Sequence, residues 1–596
     1  MEQANNITIW KMLKFEAKLC FGNSPVLMTA EAIASVIHGL SIVSITIGTQ
    51  WFFDLTMKSV QQRAYAQIFY GAVIFGLIIV SNQVINGVEN YLWDVTYKKL
   101  KGFSYKRFFQ KAVDFDAEVF ESPDFMDNLY KAKEGGAHFN QPLFPCIGLS
   151  TFYLAYFLGM ALYMAHLQPV LVVSIVLVFV PTVFGQYFKT FLFSRLADEA
   201  APHRRRYEYY ENCIGHKDFL RETRTLCATP FFLKKYLDEL QTLTVKIWRT
   251  NKKAALYSLA AQLMTLGGYL GILCLLTSQL LKGNISAGAF GAIFASVGTI
   301  FSMMGEVMET VNELVENIGL MKNYIRFLER PLPQLPDRPV TVREGIHMEE
   351  ASYRYNNAEK DAFTDVNLHI RAGETVAIVG DNGSGKTTLI KVMAGLYQPT
   401  KGCVYYDHTK ISEVAPHCVR EQMSVVCQNY VRYKMSLRDN ISISRGVINR
   451  PDDGMDDEII GLLEAVGLWR EKEQFQLGLD TMLGREFGGI ELSGGQWQRL
   501  AIARGMYRDN ILIFLDEPTA AVDPIEESGL FELLKDAGRG KVSLIVTHRL
   551  GCARIADRII VMEKGRIVET GTHDELLAAG QKYSKMYHEQ AKWYIW

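Results

Sequence analysis

Before residue 330 the sequence contains six apolar runs, at about 25 to 53, 66 to 93, 143 to 165, 168 to 194, 254 to 281 and 285 to 320. Each is long enough to cross a hydrocarbon layer of about 30 Å, which takes about 20 residues of α-helix. One such run could be a buried core helix, but six in succession within one half of a chain argue for membrane insertion. The clearest of them, QPVLVVSIVLVFVPTVFGQYF, carries no charge. Overall composition conceals this: 49% apolar residues, 21% charged residues and a net charge of -1 over 596 residues are the average of an apolar half and a soluble half. With no global basic field, nucleic acid is not expected as a partner. Disorder and collagen-like repetition are excluded on the same composition.

The gaps between the runs are uneven. Two of them, about 94 to 140 and 196 to 252, are long, polar and cation-rich, the first with Lys98, Lys99, Lys101, Lys106, Arg107 and Lys111, the second with Arg204, Arg205, Arg206, Lys217, Arg221, Arg224, Lys234 and Lys235. Cation excess at membrane ends marks the cytoplasmic side. Both loops read as mostly helical, so the spans are expected to continue as stalks into the cytosol, closing on docking turns near Pro123 (ESPDFMDN) and at 215 to 226 (GHKDFLRETRTL), where Pro and Gly interrupt the pattern. Ahead of the first span, ITIWKMLKFEAKLC places Trp10, Leu13, Ala17 and Cys20 on one helical face and Lys11, Lys14 and Lys18 on another, as an interfacial helix does. No cleavable signal is evident there, so the N-terminus is expected to be cytoplasmic. Nine scattered cysteines without a CxxC indicate neither a disulfide framework nor a metal site.

Composition changes at PLPQLPDRP, whose four prolines (331, 333, 336 and 339) read as an extended linker. Beyond it, strand-like TVAIV (375 to 379) runs into GDNGSGKT (380 to 387) and then a helical pattern, the setting in which the P-loop spacing has physical meaning. Gly380, Gly383 and Gly385, with Asn382 and Ser384 between them, let backbone N–H groups face phosphate at a helix N-terminus. Lys386 supplies a point charge to the β/γ oxygens, and Thr387, followed by Thr388, can ligate Mg²⁺. A second strand, ILIFL (511 to 515), ends in Asp516-Glu517, an acidic pair at the carboxyl edge of a sheet. Asp516 suits the Mg²⁺ shell, and Glu517 is placed to orient or deprotonate an attacking water as general base. In ELSGGQWQRLAIAR, Ser493, Gly494 and Gly495 open a helix that carries Gln496. One P-loop already holds a nucleotide's phosphates, so this second glycine-opened helix start is expected to act on ATP presented by another copy, which implies dimerisation.

These residues resemble the nucleotide-binding domain of ATP-binding cassette transporters over 340 to 580, with LSGGQ (492 to 496) as that family's unaltered signature. The resemblance implies ATP and Mg²⁺ as cofactors, Tyr355 as the aromatic on adenine with Tyr353 as its competitor, and Gln428 as the residue linking Mg²⁺ to the membrane domain. It further implies His548 as the switch histidine, catalytic with Glu517 and Lys386, and Asp523 as a dimer contact whose usual SAL lead-in is here AAV. Six spans followed by one cassette resemble an exporter half-transporter. The implied fold is an all-α six-helix transmembrane domain of the type I exporter kind followed by an α/β P-loop NTPase domain. Divisions are expected at 1–24 (elbow helix), 25–330 (transmembrane domain with cytoplasmic extensions), 331–340 (linker), 341–580 (cassette) and 581–596 (tail).

TMLGREFGG (481 to 489) and VDFDAEVFESPDFMDNLYKA (113 to 132) resemble bacterial peptide and lantibiotic-type exporters more than multidrug or lipid exporters. The peptidase domain that some peptide exporters carry ahead of the spans is not expected in about 25 residues. The resemblance implies a multi-pass protein of the cytoplasmic membrane, in contact with lipid and acting with a second protomer, a homodimer before a heterodimer. The alternatives are a lipid or drug translocator with the same ATPase, and an ATP-gated regulator or channel. For the cargo, Glu306, Glu309, Glu313 and Glu316 fall within about 80 degrees on a helical wheel. Asn82, Asn86, Glu89 and Asn90 share a face of the second span, and Glu31 and His38 lie in the first. Such faces suit a cationic amphipathic cargo, or else are stalk surfaces and satisfied interhelical contacts. Trp593, Tyr594 and Trp596 close the chain as an aromatic cluster expected to pack in a core or dimer contact.

Overall fold

The structure, a computed structural model, describes residues 7–139, 142–333, 335–356, 358–446, 453–519 and 524–592. The chain forms two compact units, Met1–Ala112 with Asp127–Arg330, and Val113–Met126 with Pro331–Trp596.

The first unit is helical: α1 (Ile9–Asn23), α2 (Pro25–Gln61), α3 (Tyr65–Val113), α4 (Pro123–Ala137), α5 (Leu143–Leu167), α6 (Pro169–Gly215), α7 (Lys217–Thr225), α8 (Thr229–Leu281) and α9 (Ala287–Leu328). Pro25 and Pro169 stand at the first position of their helices, where the missing N–H has no intrahelical partner to lose. Among the described residues five helices, α2, α3, α5, α8 and α9, are long and apolar enough to cross a membrane. The sixth expected run falls on α6, which is continuous over 47 residues but has side chains outside the described set. The 49 residues of α3 and 53 of α8 would reach about 70 to 80 Å at 1.5 Å per residue, more than twice the hydrocarbon thickness. These helices therefore extend beyond lipid as stalks.

The apolar window of α3 is only 11% buried, and Phe69, Leu77, Val80 and Val84 stand exposed. A water-soluble domain does not leave such a surface uncovered. Polar residues of the spans are instead paired with one another: Asn82 Nδ2 donates to Ser41 Oγ at 2.7 Å, Thr46 Oγ1 meets Ser296 Oγ at 2.8 Å, and His38 Nδ1 pairs with Glu89. Asn82, His38 and Glu89 thus serve as interhelical contacts. Along α9, Glu306, Glu309 and Glu313 are exposed, with Glu306 Oε2 accepting from the Tyr153 hydroxyl at 3.3 Å; the Glu316 side chain lies outside the described set.

The packed face of α1 includes a residue that the sequence reading had not placed. In α1 the buried side chains are Met12, Glu16 and Cys20, while Trp10 is 77% exposed. Burial pushes the Glu16 carboxyl well above its ordinary pKa.

The second unit contains two sheets. An antiparallel one has the order β2-β1-β4-β5, formed by β1 (Gly345–Tyr353), β2 (Phe363–Arg371), β4 (Lys401–Tyr406) and β5 (Thr409–Lys410). The other has the order β10-β9-β3-β8-β7-β6, from β3 (Thr375–Gly380), β6 (Met423–Val426), β7 (Leu512–Asp516), β8 (Val542–Val546), β9 (Arg558–Glu563) and β10 (Arg566–Gly571). Strands β6, β7, β8, β3 and β9 run parallel and β10 closes the edge antiparallel. Strands β3, β7 and β8 are buried at every residue, as central parallel strands covered on both faces are. The proline-rich segment is tied down: Ala415 N donates to Pro336 O at 3.1 Å, Cys418 Sγ donates to Asp337 Oδ1 at 3.0 Å, and Val340 and Val342 join the core.

Residues 113–126 pack within this same unit. Glu118 Oε1 accepts from the Tyr353 hydroxyl and Glu118 Oε2 from Gln398 N, each at 3.1 Å, while Glu121 accepts from the Tyr397 hydroxyl and lies 3.6 Å from Lys391 Nζ. The contacts come from the residues just before Pro123, the centre of the expected docking turn. The partner tyrosines stack on each other at 5.4 Å between centroids.

Candidate nucleotide site

Four parallel strands in the order β3-β8-β7-β6 deliver their carboxyl ends to one edge of the sheet. The loop after β3 is 380–385, β7 ends in Asp516 followed by Glu517, β8 leads to Thr547 and His548, and β6 to Cys427 and Gln428. Residues far apart in sequence therefore meet where ligands of open α/β sheets bind. They line a cavity of about 810 Å³ with Tyr355, Gly380, Asn382, Gly383, Gly385, Lys386, Thr387, Thr388, Gln428, Glu517 and His548 on its wall.

Two glycines are fixed by geometry. Gly380 has φ 152° and a Cβ there would strike the Met562 carbonyl oxygen; Gly385 has φ 99° and a Cβ would strike that of Ala362. Gly385 also caps α10 (Lys386–Met393), so the loop ends with helix N–H groups facing the cavity. Lys386 Nζ donates to Gly380 O and Asp381 O at 2.8 Å each, filling the loop itself. Burial holds its pKa below the usual lysine value against the opposing pull of Glu517, Asp381 and Asp516, an energetic reason for it to take up phosphate oxygens. Ser384 Oγ is buried within the loop without a hydrogen-bond partner, as expected of a group reserved for a ligand.

Asp516 is 5% exposed and accepts from Thr387 Oγ1 at 3.3 Å. Burial raises its pKa, and neighbouring Glu517 adds to the rise. A buried acid beside a hydroxyl and a second carboxylate is short of positive charge, the environment a divalent cation satisfies. Glu517 is held from three directions: Gln428 Nε2 donates to Oε2 at 2.7 Å, His548 Nδ1 lies 3.2 Å from Oε1, and Gln498 Nε2 donates to its backbone oxygen at 3.1 Å. Its backbone sits at φ 50°, a conformation that costs a non-glycine residue about 1 to 3 kcal/mol and that recurs at functional sites.

Of the two tyrosines, Tyr355 lines the cavity and Tyr353 is 1% exposed, spent on Glu118. The Tyr355 hydroxyl lies 3.1 Å from Thr388 Oγ1, and its ring meets that of Tyr353 edge-on at 5.1 Å. Ser493, Gly494, Gly495 and Gln496 do not line this cavity. They open α11 (Gly494–Tyr507) through a capping box, with Ser493 N donating to Gln496 Oε1 at 2.9 Å and Gln496 N to Ser493 Oγ at 3.3 Å. Asp523, Trp593, Tyr594 and Trp596 lie outside the described residues.

The sequence reading missed one wall. Residues from 581 onward were expected to be a tail, but Lys582–Ala591 form a helix, α12, whose Met586 and Gln590 line the cavity. The only local signal is the spacing of Lys582, Met586 and Gln590, four residues apart on one helical face.

Residues 363–520 match the family model described as ABC transporter. The chain carries an ABC transporter domain. Its fold over both units is that of an ABC exporter: it resembles a solved bacterial Atm1-family ABC exporter with ATP bound, at TM-score 0.78 over 95% of this chain and 99% of that one, with 16% identity. Among curated relatives, the Nisin transport ATP-binding protein NisT of Lactococcus lactis subsp. lactis is 39% identical over 240 residues, 40% of this chain and 39% of that one. The Subtilin transport ATP-binding protein SpaT of Bacillus subtilis is 28% identical over 575 residues, 93% of this chain and 90% of that one. An ATP-dependent lipid A-core flippase of Alkalilimnicola ehrlichii is 38% identical over 261 residues, 44% and 43% of the two chains. The matches of higher identity cover less than half of this chain, and the match to SpaT covers 93% of it at lower identity.

Proposed function

We propose that the protein is an ATP-driven exporter of an amphipathic, cationic peptide of the lantibiotic class, acting as a dimer of two such chains in the cytoplasmic membrane. The observation that carries the peptide reading is the SpaT similarity, which covers 90% of that relative, where the flippase similarity covers 43%. In this reading 1–24 is an elbow helix, 25–330 the transmembrane domain, 331–340 the linker and 341–580 the cassette, which faces the cytoplasm.

Within the cassette, residues 380–388 hold the ATP phosphates, Tyr355 contacts adenine, and Thr387, Asp516 and Gln428 hold Mg²⁺, which neutralises phosphate charge when bound. Glu517 accepts a proton from the attacking water, and His548 with Gln428 keeps its carboxylate aimed. Ser493, Gly494, Gly495, Gln496 and Asp523 act on the nucleotide of the partner chain. A helix start that is capped and contributes no residue to the wall of its own cavity supports that reading in trans. ATP binding closes two cassettes on two nucleotides and hydrolysis reopens them, biasing the membrane helices between inward-facing and outward-facing states.

Vesicles reconstituted with the protein and offered a labelled cationic peptide and a labelled lipid in parallel should accumulate the peptide on addition of ATP; movement of lipid alone overturns the peptide reading. If exposed Glu306 and Glu309 meet the cargo, Glu306→Gln with Glu309→Gln weakens stimulation of ATPase by cationic peptide while leaving basal hydrolysis in place. Unchanged stimulation removes the acidic face from the binding site.

A further inference from the structure

Lys582, Met586 and Gln590 form one face of α12, and none belongs to a nucleotide-binding motif. Lys582 Nζ donates to Asp381 Oδ2 at 2.5 Å and lies 2.9 Å from Glu563 Oε1, joining the phosphate loop to the end of β9. Two turns further on, Gln590 Nε2 donates to His548 O at 2.5 Å and Gln590 Oε1 accepts from Leu550 N at 3.0 Å. One carboxamide thus bridges the peptide groups on either side of Arg549 and fixes the direction in which His548 leaves the chain. His548 in turn stands 3.2 Å from Glu517 Oε1.

The helix that carries these groups is itself anchored. Glu569 Oε1 accepts from Lys582 N at 2.7 Å at its first turn. Tyr583 is fully buried in the cluster of Val379, Leu550, Ile559 and Val561, and its hydroxyl meets His573 Nδ1 at 2.8 Å. A rigid anchor behind a polar contact is what makes that contact position a neighbour, since a mobile partner would follow the loop.

We infer that α12 is a clasp on the nucleotide site, in which Lys582 holds the phosphate loop and Gln590 is a positioning residue that acts on hydrolysis through His548. The inference rests on the ATPase reading above.

The test uses the full chain in detergent. Gln590→Met keeps the length of the side chain and removes both hydrogen bonds. Its kcat for ATP should fall about tenfold, with KM and the affinity for a fluorescent ATP analogue within about twofold of wild type, the pattern of a group acting in the transition state alone. In a cycle with His548→Ala, the double variant should be no slower than His548→Ala by itself, because a group that works through His548 has nothing left to position. Wild-type turnover in Gln590→Met, or losses that multiply in the double variant, would overturn the clasp. Should Gln590→Met melt early, Gln590→Glu keeps the acceptor for Leu550 N and sets an oxygen against the His548 carbonyl. It must show the same loss of kcat, and normal kcat in it is again contrary. Wild-type protein without ATPase activity would instead sink the ATPase reading, a distinct result.

Discussion

Replacing Glu517 with glutamine is expected to leave ATP binding intact and to lower turnover by ~10²-fold or more, the scale of a missing general base. The geometry makes this substitution clean. Gln428 Nε2 and Gln498 Nε2 both donate to oxygens of Glu517, one of the side chain and one of the backbone, and a glutamine retains both acceptors. The left-handed backbone at φ 50° precedes Pro518, which already disfavours the right-handed helical region, so the change leaves the backbone as it is and alters basicity together with the contact of Oε1 to His548 Nδ1. Nucleotide affinity by fluorescence and phosphate release by a coupled assay separate the two effects. Near-normal release would remove Glu517 from the role of base.

Lys386→Ala should act on the other side of that division and weaken ATP binding. Charge-assisted hydrogen bonds are worth about 1.5 to 3 kcal/mol each, so losing the ammonium at the phosphates should raise Kd by roughly 10- to 10²-fold. Lys386 Nζ also donates to the carbonyls of Gly380 and Asp381, so the variant leaves two acceptors in the loop without that donor. A fall of a few degrees in thermal midpoint should therefore accompany the loss of affinity, and added ATP should protect the variant less than wild type. Wild-type affinity in Lys386→Ala would show that the ammonium does not meet phosphate.

The parts of the site that the sequence made legible share a physical property: their requirement is local. A glycine at φ 99°, a lysine at the first position of the helix behind it and an acidic pair at a strand end are each specified within a few residues, because backbone conformation and strand direction are local facts. The capping box of Ser493 and Gln496 is local in the same way. What stayed hidden depends on tertiary partners. Lys582 lies 201 residues from Asp381, and no spacing rule links a C-terminal helix to a phosphate loop. The contacts of Glu118 and Glu121 are recognisable only once Tyr353 and Tyr397 are seen beside them, although Glu121 opens the expected turn ESPDFMDN. In α1, helical spacing assigned Glu16 to neither face, and its burial beside Met12 and Cys20 is seen only in the packed structure.

The membrane half divides along the same line. Long apolar helices follow from the length of the apolar runs, and among the described residues α2, α3, α5, α8 and α9 meet that expectation. Whether a polar residue within a span faces cargo or a neighbouring helix does not follow from composition. Ser41 takes up Asn82 and Glu89 takes up His38, while Glu306, Glu309 and Glu313 of α9 stand exposed.

The central claim, that two chains close on ATP with each signature helix serving the other's phosphates, is tested most directly by trapping. Glu517→Gln protein given ATP and Mg²⁺, separated from free nucleotide and examined by sedimentation with a nucleotide assay, should run as a particle of two chains holding two ATP. One chain holding trapped ATP would contradict the account.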